Sequence, residues 1–252
     1  MIKFSQFITE AAPKQDSNSL HAFDMDETLF AHDHNKLRVH VVDQHGRKVR
    51  SLTNQEFNAH QLPPNHRYDF SEFRSSDVFT HSAKPIRKMI AKLKAIKNNG
   101  GKTAIVTARS DLDDQPKFAR HMGKYGIDIG DTHVYRAGNM EGKPADTKAA
   151  VISGLIHKDG HKKVHLYDDS IDNLNGFLKL KKEHPDVEFH AHHVQHDPET
   201  GNVTVTSTSS EKPKDKKIKD FLDGGIAKQL DSFVPSKTSE WFPKLKRWYA
   251  DM

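Results

Sequence analysis

The chain has no cysteine. Disulfides and thiolate metal sites are therefore excluded, which allows a reducing compartment without demonstrating one. No apolar run approaches the roughly 20 residues that a membrane-spanning helix needs, so no membrane partner is expected. There is no Gly-x-x-x-x-Gly-Lys-Ser/Thr stretch, which excludes a P-loop nucleotide-binding half. No internal repeat is visible. Met1–Ala12 (MIKFSQFITEAA) is amphipathic, with Ile2, Phe7 and Ile8 apolar, but it lacks the apolar core of a secretory signal.

What the chain does contain is enough apolar sequence for one core. Its 252 residues are 35% hydrophobic and 29% charged, which suits one domain with an insertion or a core with a small satellite. Lys+Arg 39 against Asp+Glu 34 leaves a net charge of +5. That mild excess is compatible with phosphate-bearing or nucleic-acid partners and establishes neither.

The chemistry centres on His21–Phe30 (HAFDMDETLF). An apolar-leaning run from Leu20 to Phe23 ends in Asp24 and Asp26, followed by Thr28. At a strand end this spacing points both carboxylates to one side, where open α/β sheets place their chemistry. Two carboxylates that close can divide a task, one ionised as nucleophile or metal ligand and one carrying a proton. A solvated acidic turn is the competing reading. Three further features follow in order. Ile105–Ser110 (IVTARS) ends an apolar run in Thr107, with Arg109 two residues on. Lys148 lies in the first turn of a predicted helix. Leu166–Ser170 (LYDDS) ends a strand in Asp168 and Asp169.

Together these stretches resemble the four motifs of the haloacid dehalogenase superfamily of phosphotransferases, over roughly residues 20–191. The resemblance implies an α/β, Rossmann-like core with a mainly parallel sheet, helices on both faces and Mg²⁺ as cofactor. It casts Asp24 as nucleophile and Asp26 as general acid–base, with Thr107 and Lys148 holding phosphoryl oxygens. Asp24, the Asp26 carbonyl and Asp169 would hold the ion, and Asp168 of the same acidic set would orient Lys148. Asp26 also separates reaction types, since dehalogenases of the superfamily lack an acid there and P-type ATPases place Thr. Thr28, Arg109 and Lys143 are candidate substrate-binding residues. Arg109 could equally pair with Asp111 or Asp113, and Lys143 is the alternative to Lys148 as the motif lysine.

The remaining sequence fits around that core. Alternation at Leu37, Val39 and Val41, a turn at Asp43–Gly46 and a return at Lys48–Leu52 predict a hairpin. Thr53 and Glu56 predict a capping box for a helix over Asn54–Gln61, with Leu52 and Phe57 as its staple. This insertion, at about 32–80, lies where the superfamily places caps, and its small size implies a partly open cleft. Helices are predicted over Lys84–Asn99 and Asp114–Tyr125 and after a cap at Asp146 or Thr147. Strands are predicted at Thr103–Thr107, His133–Tyr135, Val164–Tyr167 and 187–191, the last returning through Val203 and Val205. His190, His192, His193 and His196 form a cluster that reads either as a solvated edge strand or as zinc ligands. Residues 1–19 read as a terminal peptide and linker. Residues 207–252 read as a linker and a helical tail with Trp241, Phe242, Leu245, Trp248 and Tyr249 at helical spacing.

Met1–Ala12 and the polar PKQDSNS after it resemble the N-terminal peptides of proteins packaged in the heads of large tailed bacteriophages. That resemblance implies cleavage after Ile8-Thr9-Glu10, before Ala11; a frayed terminal helix is the other reading. The expected location is the cytoplasm, the host's if the chain is phage-encoded, or the phage head. The resemblance to the haloacid dehalogenase superfamily implies a phosphatase, expected to act on a phosphorylated small molecule, a nucleotide or a nucleic-acid end. The alternatives are a non-catalytic basic binding or virion protein on the same scaffold, and a zinc protein built on the histidine cluster.

Overall fold

The computed structural model describes residues 18–209 apart from 34–36, 54–55, 58–59 and 198. The Ile8-Thr9-Glu10 sequence and the aromatic stripe of the tail lie outside the described residues. Six strands form the main sheet: β1 (Ser19–Phe23), β7 (Lys102–Thr107), β8 (Val134–Arg136), β9 (Lys163–Asp168), β10 (Glu188–His196) and β11 (Val203–Ser209). Their order is β11-β10-β9-β1-β7-β8, and every pairing is parallel except that of β10 with β11. The protein is therefore α/β with a mostly parallel sheet, as predicted.

Side-chain alternation builds the layers. Leu20 and Ala22 of β1 face one side, with Ala104, Val106, Val164 and Leu166. There they meet Val151, Ile152 and Leu155 of α5 (Pro144–Asp159) and Leu174 and Phe177 of α6 (Ile171–Lys179). Phe23 and Ile105 face the other side. They meet Met89, Ile90 and Leu93 of α3 (Arg87–Asn98) and Phe118 and Met122 of α4 (Gln115–Gly123). Burial on both faces is what a central parallel strand requires.

The insertion leaves the core through β2 (Phe30–His32) and returns through β6 (Ala83–Pro85), and these two strands pair antiparallel. Between them, β3 (Val39–Val42), β4 (Lys48–Leu52) and β5 (Arg67–Asp69) make a separate three-stranded sheet in the order β4-β3-β5. Two short helices follow, α1 (Ser71–Arg74) and α2 (Ser76–Ser82). The hairpin and its capping box form as predicted. Thr53 N–H donates to Glu56 Oε2 at 2.7 Å, and Glu56 N–H donates to Thr53 Oγ1 at 3.1 Å. The helix does not reach Gln61, since the chain is already non-helical at His60.

Three other boundaries differ from the sequence reading. Helix α3 starts at Arg87 rather than Lys84, because Pro85 holds Lys84 extended and the segment pairs with β2. Helix α5 starts at Pro144, with Lys143 at its N-cap, so Lys148 stands in the second turn rather than the first. Strand β11 runs on to Ser209, three residues into the stretch read as linker, because its register with β10 continues.

The histidines of β10 do not lie on an edge strand. Strand β11 covers that edge, and the imidazoles of neighbouring strands stack. His21 and His165 lie 4.3 Å apart at 6°, His165 and His190 4.6 Å apart at 13°, and Tyr167 and His192 4.2 Å apart at 9°. His165 Nδ1 also lies 2.9 Å from His192 Nε2, and among the described residues these histidines make no group of three whose ring nitrogens converge on one ion. Burial, helped by the neighbouring imidazoles and Lys92, lowers His21 to about 4, His165 to about 2 and His192 to about 3. A lowered folded value means the unfolded chain binds more protons below about 6.5. The ladder's contribution is complete above that pH and is lost as pH falls towards the folded values. His165→Phe keeps a ring in the stack and removes one of these protons. Between pH 7 and 5 the melting temperature of the parent should therefore fall a few degrees relative to His165→Phe. Parallel curves over that range would refute the assignment.

Candidate active site

The chain winds from β1 outward through β7 to β8, then crosses back through α5 to β9 on the other side of β1. Strands β1 and β9 therefore flank a topological switch point, where a crevice opens outside their carboxyl ends. Asp24 follows β1, and its N–H donates to the Tyr167 carbonyl of β9 at 2.8 Å. Asp168 ends β9 and Asp169 follows it. Lys148, fully buried, lies between them, with Nζ 2.6 Å from Asp24 Oδ1 and 2.8 Å from Asp168 Oδ2. Asp168 is fixed in turn, accepting from Ser170 N–H and Asn173 Nδ2, each at 2.9 Å.

The charges here do not balance. Asp24, Asp168 and Asp169 surround one ammonium. Burial pushes Asp24 well above the usual carboxylate range, against Lys148 and with the help of the other acids. Burial and Asp168 likewise push Asp169 up to about 7. Burial works against the charge of Lys148, but Asp168 and Asp24 outweigh it and hold its proton more tightly than usual.

Asp26 sits differently. Strand β1 ends at Phe23, and Met25 accepts from Leu29 N–H at 3.0 Å and from Phe30 N–H at 2.9 Å, closing a tight turn. Glu27 takes φ +55° in that turn, a left-handed conformation unusual for a non-glycine residue. Asp26 thus lies in the turn rather than on the strand, with partners of its own. Arg109 Nε donates to both its oxygens, at 3.0 and 2.9 Å, and Arg109 Nη2 donates at 2.7 Å. His32 Nε2 lies 2.6 Å from Asp26 Oδ1. Burial would raise the Asp26 carboxyl, but Arg109 and His32 outweigh it and hold the group far below the usual range.

Arg109 therefore pairs with Asp26 and with neither Asp111 nor Asp113. It is buried between the rings of Phe73 and Phe79, 5.1 and 5.0 Å from their centres, and Nη1 donates to the Phe73 carbonyl at 2.8 Å. Its loop is held by the close approach of Gly138, where a Cβ would meet the Ala108 carbonyl oxygen at 2.1 Å. Thr107 is buried at the end of β7 and its hydroxyl accepts Arg109 N–H at 3.1 Å. Thr28 is also buried, and its hydroxyl has no partner among the described residues. Lys143 is exposed at the α5 N-cap. Of the two candidate lysines, Lys148 is the one joined to the acids.

Four contributing residues were not singled out in the sequence as parts of the site. Asn173 and Ser170 secure Asp168, and the pattern of a Ser cap five residues or fewer from an acid was there to be read. His32 and His193 carried no such signal. His193 Nε2 lies 3.0 Å from the Asp169 carbonyl oxygen across strands β9 and β10.

Asp24, Asp168 and Asp169 can each offer a carboxylate oxygen, all within 4.8 Å of one another. Hard oxygen donors carrying surplus negative charge suit a hard divalent cation of the Mg²⁺ type. The Asp26 carboxylate is not in this group. No helix among the described residues is long and apolar enough to cross a membrane. Comparisons of the chain with known protein families, curated proteins and solved structures find no match.

Proposed function

We propose that this chain is a Mg²⁺-dependent phosphomonoester hydrolase of the haloacid dehalogenase type, acting on a nucleotide or a nucleic-acid terminal phosphate. The observation that carries the reading is Lys148, held between Asp24 and Asp168 at the ends of adjacent strands, with Asp169 alongside. A nucleophilic carboxylate needs a fixed direction and a counter-charge, and Lys148 supplies both.

In this reading Asp24 Oδ attacks phosphorus, the bond to the ester oxygen breaks with its electron pair going to that oxygen, and an aspartyl phosphate forms. Because Arg109 and His32 hold Asp26 ionised, the departing oxygen takes its proton from solvent rather than from Asp26, the donor that the resemblance implied. Lys148 keeps its proton and neutralises the phosphoryl oxygens. Asp168 and Asn173 hold Lys148 and the β9 end in place. The ionised Asp26 then takes a proton from the water that attacks phosphorus, the P–O bond to Asp24 breaks, and inorganic phosphate is released. A Mg²⁺ ion held by Asp24 and Asp169 would supply charge neutralisation for the phosphoryl group.

Hydrolysis of phosphate esters should require Mg²⁺, stop with EDTA and resume when Mg²⁺ is restored. Asp169→Ala should move the Mg²⁺ midpoint to higher concentration by far more than Asp172→Ala does, since Asp172 is exposed on α6. Full activity after thorough chelation would sink the metal assignment. For the substrate, the small insertion and net positive charge favour an extended phosphate-ended chain over a small sugar phosphate. Binding of a 3′- or 5′-phosphorylated oligonucleotide should weaken steeply with salt. A higher kcat/KM for a sugar phosphate, with no salt-sensitive oligonucleotide binding, would overturn that choice alone.

A further inference from the structure

Both groups that hold Asp26 make contact with the insertion, although Arg109 itself stands on the core loop after β7. Arg109 reaches the Phe73 carbonyl of α1. His32, at the end of the strand by which the chain leaves the core, is 7% exposed, and its Nδ1 lies 2.9 Å from Ser82 Oγ. Ser82 closes α2, immediately before the returning strand β6, and is itself buried. Its hydroxyl occupies one ring nitrogen, and the other faces Asp26 Oδ1 at 2.6 Å. The pairing of Phe30–His32 with Ala83–Pro85 sets the distance between the two side chains. Phe79 also contacts the imidazole, at 5.6 Å between ring centres. The ring is thus constrained by packing and by a hydrogen bond on the side away from Asp26. Ser82 is too buried to react with a substrate. The arrangement resembles a serine–histidine–acid relay in composition, but its exposed end is the carboxylate.

We propose that His32, fixed by Ser82, is a positioning residue that aims the Asp26 carboxylate at the hydrolytic water. The role rests on the phosphatase reading above and adds a residue pair to it. In the step concerned, water oxygen forms a bond to phosphorus and its proton passes to Asp26. The bond from phosphorus to Asp24 breaks with its electron pair returning to the Asp24 carboxylate, and inorganic phosphate leaves. Asp26 afterwards gives its proton to solvent. Misplacing the base by about an ångström slows such a step on the order of a hundredfold. The preceding step, attack by Asp24, does not depend on Asp26 when the leaving group needs no proton.

That separation gives the test. The full chain, with Mg²⁺ and p-nitrophenyl phosphate, is followed from the first milliseconds. His32→Ala should lower kcat about tenfold to a hundredfold and lower KM with it, leaving kcat/KM within a few-fold of the parent. Phosphoenzyme should accumulate, seen as a burst of about one nitrophenolate per enzyme, the stoichiometry of a covalent intermediate. His32→Gln, which keeps a donor for Asp26, should recover part of the loss. Ser82→Ala, which removes one hydroxyl, should give the same pattern at smaller size. A merely structural role predicts a parallel fall in kcat and kcat/KM without a burst, and that result, or an unchanged kcat, overturns the proposal. Absence of phosphatase turnover in the parent overturns the phosphatase reading itself, and the proposal with it.

Discussion

Asp24→Asn should abolish turnover, by roughly four orders of magnitude or more for loss of a nucleophile, without lowering the melting temperature at neutral pH. The first half follows from the role. An amide is neither a competent nucleophile towards phosphorus nor an anionic ligand, and no other carboxylate replaces it, because Asp26 is held by Arg109 and His32. The second half follows from the electrostatics. Burial and three neighbouring acids raise the folded-state value of Asp24 above its unfolded one. Such a group costs stability progressively as pH rises from its unfolded value towards its folded one. Replacing it with a neutral isostere removes that cost and leaves Lys148 its contact with Asp168 at 2.8 Å. Activity is measured with the best phosphate ester found for the parent, and stability by thermal unfolding. Near-normal turnover would end the nucleophile assignment. Lost activity together with a large drop in melting temperature would mean that Asp24 is chiefly structural.

Lys148→Met is the counterpart, and its expected signature is the reverse in stability. It removes the ammonium that compensates Asp24 and Asp168, both almost fully buried. Breaking a buried pair from one side costs about 3–5 kcal/mol, or roughly 6–20 °C in melting temperature for a domain of this size. Turnover should disappear as well. The mechanism of the loss is visible in the double variant. Asp24→Asn removes one of the two stranded carboxylates, so Asp24→Asn with Lys148→Met should melt higher than Lys148→Met alone. Contacting residues of this kind are expected to depart from additivity. Saturating Mg²⁺ should also raise the melting temperature of Lys148→Met, since a cation bound only by the folded state stabilises it. Additive effects, or no response to Mg²⁺, would show that the loss comes from packing.

Much of this site could be read from local sequence. Asp24, Lys148, Asp168 and Asp169 stand at the ends of elements whose type follows from short apolar runs, and the switch point brings those ends together. The sheet was legible for the same reason, since strands such as Lys102–Thr107 and Lys163–Asp168 alternate with helices of clear apolar period. What failed depended on partners distant in the chain. Arg109 was open between a phosphate and two nearby acids. Its true partner, Asp26, is 83 residues away, and Phe73 is 36. His32 carried no local signal because its meaning comes from Ser82, 50 residues on. The histidines of β10 gave the alternation of a strand, but their stacking depends on the register of β10 against β9 and of β9 against β1. The start of α3 was misplaced because the apolar stripe near Ile86 continues past the point where Pro85 and the pairing with β2 hold the backbone extended.

A covalent phosphoryl intermediate on Asp24 defines the proposed mechanism. It is tested most directly by acid-quenching the enzyme during turnover, reducing it with borohydride and mapping the product by mass spectrometry. An aspartyl phosphate is reduced to homoserine, whereas free carboxylates are untouched. The expected result is homoserine at position 24, dependent on substrate and Mg²⁺ and enhanced in His32→Ala. Turnover without homoserine at position 24, or with the label at Asp26, Asp168 or Asp169, would contradict it.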